Sequence, residues 1–140
     1  MNKAHSMTLI KGAYWLGIGA DALWAAALLF PRVFGILTGR PDFHPDLQVR
    51  LIMGIGASLM TGWTLLLVWA LQRPVERRAV LLLTAFPVVF GLFMVALVGF
   101  IAGNTAAGWI LAKTCILFIS MVTGYGLAGR MAGEKEGAAD

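Results

Sequence analysis

The chain has 140 residues, of which 59% are hydrophobic and only 13% charged, against about 25% charged in an average soluble domain. That leaves too little polar surface to coat a globule of this size, and the formal charge of +4 is scattered between apolar blocks. No basic run interleaved with aromatics forms a nucleic-acid footprint, so no nucleic-acid partner is expected, and the single cysteine, Cys115, rules out an intramolecular disulfide and a thiol metal cluster.

Four apolar stretches reach the roughly 20 residues that a helix needs to cross a hydrocarbon core: Gly12–Phe30, Leu51–Leu71, Ala79–Ile101 and Trp109–Ala128. Backbone amides in lipid must be satisfied within a segment, so these continuous blocks read as helices rather than barrel strands. The expected fold is an all-α, four-helix up-down bundle in the membrane (residues 12–128). A short segment (1–11) precedes it and a solvated tail (129–140) follows.

In the first block, Asp21 stands about nine residues from either end, roughly 13 Å from each interface at 1.5 Å per residue. It also argues against a cleaved signal peptide, whose apolar core carries no charge. A carboxylate at this depth is costly unless it is neutral, paired or hydrated, and marks a functional candidate. The competing reading is a neutral Asp hydrogen-bonded to neighbouring helices. Depth alone puts Ser58 and Thr61 of the second block and Ser120 of the fourth near its level, giving an expected intramembrane polar cluster. Lys113 is the tempting partner, but it lies only about 6 Å inside its end of the span. Helical side chains lean toward the N-terminus, here away from Asp21.

The first connection, Pro31–Arg50, contains the only dense polar constellation, Arg40, Asp42, His44, Asp46 and Arg50. Alternating Asp42, His44 and Asp46 raises the question of a metal, but no second histidine is nearby and no metal is expected. Pro45 suits a first helical turn, and Asp46 there complements the positive end of the helix dipole. This segment is therefore expected to open the second helix, with an external ligand surface as the alternative.

The second connection, Gln72–Arg78, is a short charged hairpin, and the third, Ala102–Gly108, carries no charge. Lys3, Lys11, Arg73, Arg77, Arg78, Arg130 and Lys135 fall on one side and Arg32, Arg40 and Arg50 on the other. Seven against three places both termini in the cytoplasm. Pro87 interrupts the third block, where it removes an amide hydrogen and crowds the Leu83 carbonyl, so a kink is expected.

Small residues recur at helical spacing, which in lipid supplies much of the drive for helix association. Gly54, Ser58 and Gly62 form one row, Gly91, Gly99 and Gly103 another, and Gly17 sits one turn before Asp21. The fourth block has Ser120 and Gly124. These are expected packing faces.

Phe30-Pro31 closing the first helix, Arg50-x3-Gly54-x-Gly56 opening the second, Pro74-x2-Arg77-Arg78 in the hairpin and Val80–Thr84 after it together resemble the DoxX-like superfamily of small four-helix bacterial membrane proteins, over about residues 12–128. The resemblance implies a small polytopic protein; some members are subunits of quinone-linked oxidoreductases. The third helix here has no charge and the chain has no redox cysteine pair, which argues against redox catalysis.

Catalytic and cofactor motifs are absent from the sequence: no GxSxG, no HExxH and no Gly-rich phosphate loop. The leading expectation is a non-catalytic inner-membrane subunit or homo-oligomer that organises partners in the bilayer. A small-solute or ion transporter using Asp21 is the alternative, and a membrane enzyme acting on a lipid or quinone the third.

Overall fold

The computed structural model describes residues 3–136, which are almost entirely helical and contain no strand. In chain order the helices are α1 (Lys3–Leu29), α2 (Pro31–Leu37), α3 (Leu47–Leu71), α4 (Ala79–Leu83), a π-helical turn (Thr84–Val89), α5 (Phe90–Ile101) and α6 (Ala106–Glu136). Among the described residues, four segments are long and apolar enough to cross a membrane: Lys3–Leu29, Leu47–Leu71, Ala79–Ile101 and Ala107–Gly133. Their length and composition mark the chain as a multi-pass membrane protein.

The first and last helices run further than their apolar blocks. α1 begins at Lys3 and α6 continues to Glu136, because a helix leaving the hydrocarbon region keeps its backbone bonds whether or not its side chains are apolar. Most of the expected solvated tail is thus helical, and residues 137–140 lie outside the described residues.

α1 is the central helix. It packs against α3 on one side and α6 on the other, while the third span, from α4 through α5, packs against α6. The second and third spans meet only lightly, near α4. Around Gly17 lie Leu67 of α3 and Met121 of α6, and Gly56 of α3 lies against Leu28. These pairs run in opposite senses, so α1 is antiparallel to α3.

One contiguous core fills the end nearer the hairpin, built on Ile10, Tyr14, Leu67, Leu81 and Met121. A side chain at Gly124 would press on Ala13 and Leu81, so the glycine lets α6 approach α1 and the third span at once. Tyr14 donates its hydroxyl hydrogen to the Arg77 carbonyl at 3.0 Å. Arg77 in turn stacks its guanidinium 3.6 Å above the Trp69 ring centroid and donates to the Trp69 carbonyl. The hairpin is thereby tied to both α1 and α3.

At the other end, Phe30 breaks from helical geometry and Pro31 starts α2, where its fixed φ and missing N–H cost nothing. α2 folds back so that Phe34 meets Trp24 edge-on, ring centroids 6.2 Å apart, and Phe43 at 5.3 Å. Gly35 takes the Arg40 carbonyl and the Phe43 Cβ so closely that no side chain fits, and Gly39 turns the chain at φ 73°. Asp46 then caps α3, accepting from the Val49 amide at 2.8 Å; the helix begins at Leu47, so Pro45 and Asp46 stand before its first turn and not within it as expected.

The expected kink at Pro87 takes the form of the π turn. The Phe90 amide reaches back five residues to the Ala85 carbonyl, a wider turn that makes room where the proline lacks a donor and its ring crowds the preceding turn.

The small-residue rows divide. Gly17 packs tightly, and Gly99 lies 3.5 Å from the Ala107 Cβ for an added methyl. Gly54, Gly62 and Gly91 have nothing within 4 Å of such a methyl, so these are not packing positions within the chain. Gly103 is not on a packing row either; it turns the chain between α5 and α6 at φ 89°. The face of α3 that meets its neighbours is instead Met53, Ala57, Leu67 and Ala70.

Candidate functional site: an intramembrane cavity at Asp21

Asp21 is placed by α1, two helical turns short of its end, with its side chain turned inward between α6 and the third span. The residue is 5% exposed, and its Oδ2 atom is buried with no hydrogen-bond partner among the described residues. Native proteins satisfy the great majority of buried polar atoms. A buried orphan oxygen deep in a membrane span is therefore the feature that asks most strongly for an explanation.

It lines a cavity of about 60 Å³ together with Trp24, Val89, Leu92, Lys113 and Thr114. Water's share of liquid volume is about 30 Å³, so this space accommodates one or two waters or a small polar group. Its walls come from three spans: α1 supplies Asp21 and Trp24, the end of the π turn supplies Val89, and α6 supplies Lys113 and Thr114. Val89 is buried and Val88 only partly so, so the wide turn presents Val89 to the cavity.

Lys113 shares the cavity without forming an ion pair to Asp21 among the described residues. Its Nζ lies 4.3 Å from the Trp109 ring centroid and 5.6 Å from that of Trp24. Trp109 is one turn toward the N-terminus of α6, so the side chain leans as helical geometry dictates. The ammonium is held by two aromatic faces, an arrangement that satisfies a cation where water is scarce. Thr114 donates to carbonyls of its own preceding turn, Ile110 at 3.0 Å and Leu111 at 2.9 Å, which leaves its oxygen lone pairs to accept.

Beside the cavity, sharing Val89 and Thr114 with it, runs an apolar groove of about 230 Å³ between the third span and α6, lined by Phe90, Phe93, Cys115 and Phe118. Cys115 is exposed there as a free thiol.

The remaining residues of the expected cluster lie elsewhere. Ser58 is exposed, one position and so about 100° round α3 from the buried Ala57. Thr61 is also exposed, and its hydroxyl donates to the Ala57 carbonyl at 2.8 Å. Ser120 is half-buried on α6 but does not line the cavity. Spacing along the chain leaves the azimuth of these residues about the helix axis undetermined, and azimuth takes Ser58 and Thr61 away from Asp21. Trp24 and Thr114 complete the site instead. Trp24, deep in the first apolar block, is open from sequence both to packing and to a ligand at its indole N–H, and Thr114 has no signal beyond its place next to Lys113.

The external constellation also divides. Asp46 is used in capping α3. Arg50 and His44 line a cleft with Arg32, whereas Arg40 and Asp42 are exposed away from it. Among the described residues, no group of three or more His, Cys, Asp or Glu side chains is disposed to hold a metal ion.

No family model, curated protein or solved structure matches this chain.

Proposed function

We propose that this chain is an inner-membrane protein of the small-solute transporter class, an up-down bundle with both termini cytoplasmic, in which Asp21 binds the solute. The observation that carries this reading is the buried, unpartnered Oδ2 of Asp21 beside a cavity that also holds Lys113. An unpaired acceptor calls for a donor, and the Trp24 face next to it favours a positive one. The solute class is therefore a small amine or monovalent cation. Lys113 is the tethered counterpart whose ammonium rests on the same indole, and it moves aside or adds a second contact when the solute enters.

Thermal unfolding of the purified protein in detergent tests this, with ammonium, methylammonium, sodium and potassium salts as probes at equal ionic strength. A stabilisation by one of these that is lost in Asp21→Asn supports the reading. Equal responses of wild type and variant to all four sink it.

A second reading, a non-catalytic subunit or homo-oligomer, is favoured by one observation. Gly54 and Gly62 stand on α3 with open space beside them, and Ser58 between them is exposed, a flat face on which another helix can seat closely. Native mass spectrometry from the host membrane separates the two: partners in fixed ratio favour the subunit, whereas a lone chain with retained solute favours the transporter.

A further inference from the structure

At the end of the spans where α1 gives way to α2, two clefts flank Pro31 and Arg50. One, of about 320 Å³, is lined by Arg32, His44 and Arg50 with Phe30 and Phe43. The other, of about 290 Å³, runs along Leu28, Leu29 and Met53 to Gly54, and shares Pro31 and Arg50 with the first. Among the described residues neither Arg32 nor Arg50 makes an ion pair. The nearest acid in sequence, Asp46, is engaged by the Val49 amide. Two arginines and a histidine thus line one cleft, and among the described residues no carboxylate lies within ion-pair distance of either arginine.

Depth identifies what they face. Arg50 lies in the first turn of α3 and Gly54 one turn further in, about 6 Å along the helix axis. Leu51, Ile52 and Ile55 beside this groove are all more than 60% exposed, which in a membrane-crossing helix is contact with lipid. The cations therefore ring the mouth of an apolar groove at the level where the span leaves the hydrocarbon. An anion with a hydrocarbon chain attached matches both parts, since guanidinium forks suit phosphate oxygens and Gly54 leaves the groove open for an acyl chain. A free anion in water uses only the first cleft.

The geometry points to a binding site for one anionic phospholipid, its phosphate held by Arg32 and Arg50 with His44 beside it and one acyl chain laid along the Leu28–Gly54 groove. The site stands apart from the Asp21 cavity and does not depend on the solute proposed there.

The test is native mass spectrometry of the full chain from mixed micelles containing equal amounts of dioleoyl phosphatidylglycerol and dioleoyl phosphatidylcholine. Wild type is expected to retain one phosphatidylglycerol per chain with at least a tenfold preference. Arg32→Gln/Arg50→Gln is expected to lose that preference about tenfold, and the lysine pair at the same positions to keep most of it. Gly54→Leu fills the groove while leaving both cations, and is expected to lose the lipid as well. The proposal is overturned if wild type does not discriminate between the lipids, or if retention survives both the glutamine pair and Gly54→Leu. It is equally overturned if 10 mM inorganic phosphate displaces the lipid, or if Arg73→Gln/Arg78→Gln in the opposite hairpin removes it while the glutamine pair does not.

Discussion

Trp63 donates its indole N–H to the Thr84 hydroxyl at 3.0 Å, and Thr84 donates onward to the Val80 carbonyl at 2.7 Å. This two-step relay joins α3 to the first residue of the π turn, across a boundary where the second and third spans otherwise barely touch. The hydroxyl is buried, so it has no water to fall back on. Thr84→Val keeps the shape and orphans the indole N–H. Each of Thr84→Val and Trp63→Phe is expected to cost about 0.5–1.5 kcal/mol in detergent unfolding. A double-mutant cycle should return a coupling of about 0.5–1 kcal/mol; full additivity would show that the bond contributes nothing.

Gly124 and Gly62 make a matched pair. A side chain at Gly124 meets Ala13 and Leu81 at 3.0–3.2 Å from its first carbon, whereas one at Gly62 meets nothing within 4 Å. Gly124→Leu is expected to destabilise the fold by about 1–3 kcal/mol through overpacking. Gly62→Leu should unfold like wild type yet disturb any assembly built on that face, read by crosslinking in the native membrane. A Gly62→Leu protein as unstable as Gly124→Leu would mean that the packing is wrongly described.

Asp21 bears a cost that the unliganded fold does not recover. Removing a buried acceptor without a partner returns about 1–3 kcal/mol, so Asp21→Leu is expected to raise the thermal midpoint of the solute-free protein while abolishing its response to added amine or cation. A lower midpoint would show that the carboxyl is held by contacts that stabilise it.

Gly35 is the tightest point of the α2 loop, with the Arg40 carbonyl against the place where a side chain begins. Backbone there cannot swing aside as a methionine tip can. Gly35→Ala is expected to unfold the Thr38–Asp46 loop locally, seen as faster proteolysis at that loop and as loss of the lipid preference assigned to Arg32 and Arg50. The four spans should keep their far-ultraviolet helix signal.

The spans themselves were legible because crossing lipid imposes a length and an apolarity that few other structures need. Leu47–Leu71 and Ala79–Ile101 lie close to the apolar blocks read from the chain, and Asp21 announced itself by depth. What surrounds Asp21 was not legible, for a physical reason. In a membrane helix the outward face is as apolar as the inward one, so Leu67, fully buried, and Leu65, mostly exposed, carry no distinguishing mark. Glycine rows share the ambiguity, since Gly17 and Gly124 are close contacts while Gly54 and Gly62 are open. Charge restores direction where it occurs, as in the lean of Lys113 toward Trp109.

The π turn at Thr84–Val89 amounts to one residue spliced into the rhythm of the third span. Before it the buried positions are Val80 and Leu81, within it Thr84, Ala85 and Val89, and after it Ala96. A regular helix keeps its phase at 3.6 residues per turn, so drawing the same residues into a regular helix would rotate Phe90–Ile101 by about 100°. Phe93 would leave the groove and the wall opposite Asp21 would change identity, with every residue of α5 still present. The cavity is thus encoded partly in the width of one backbone turn, a property that the side chains on its other two walls do not carry.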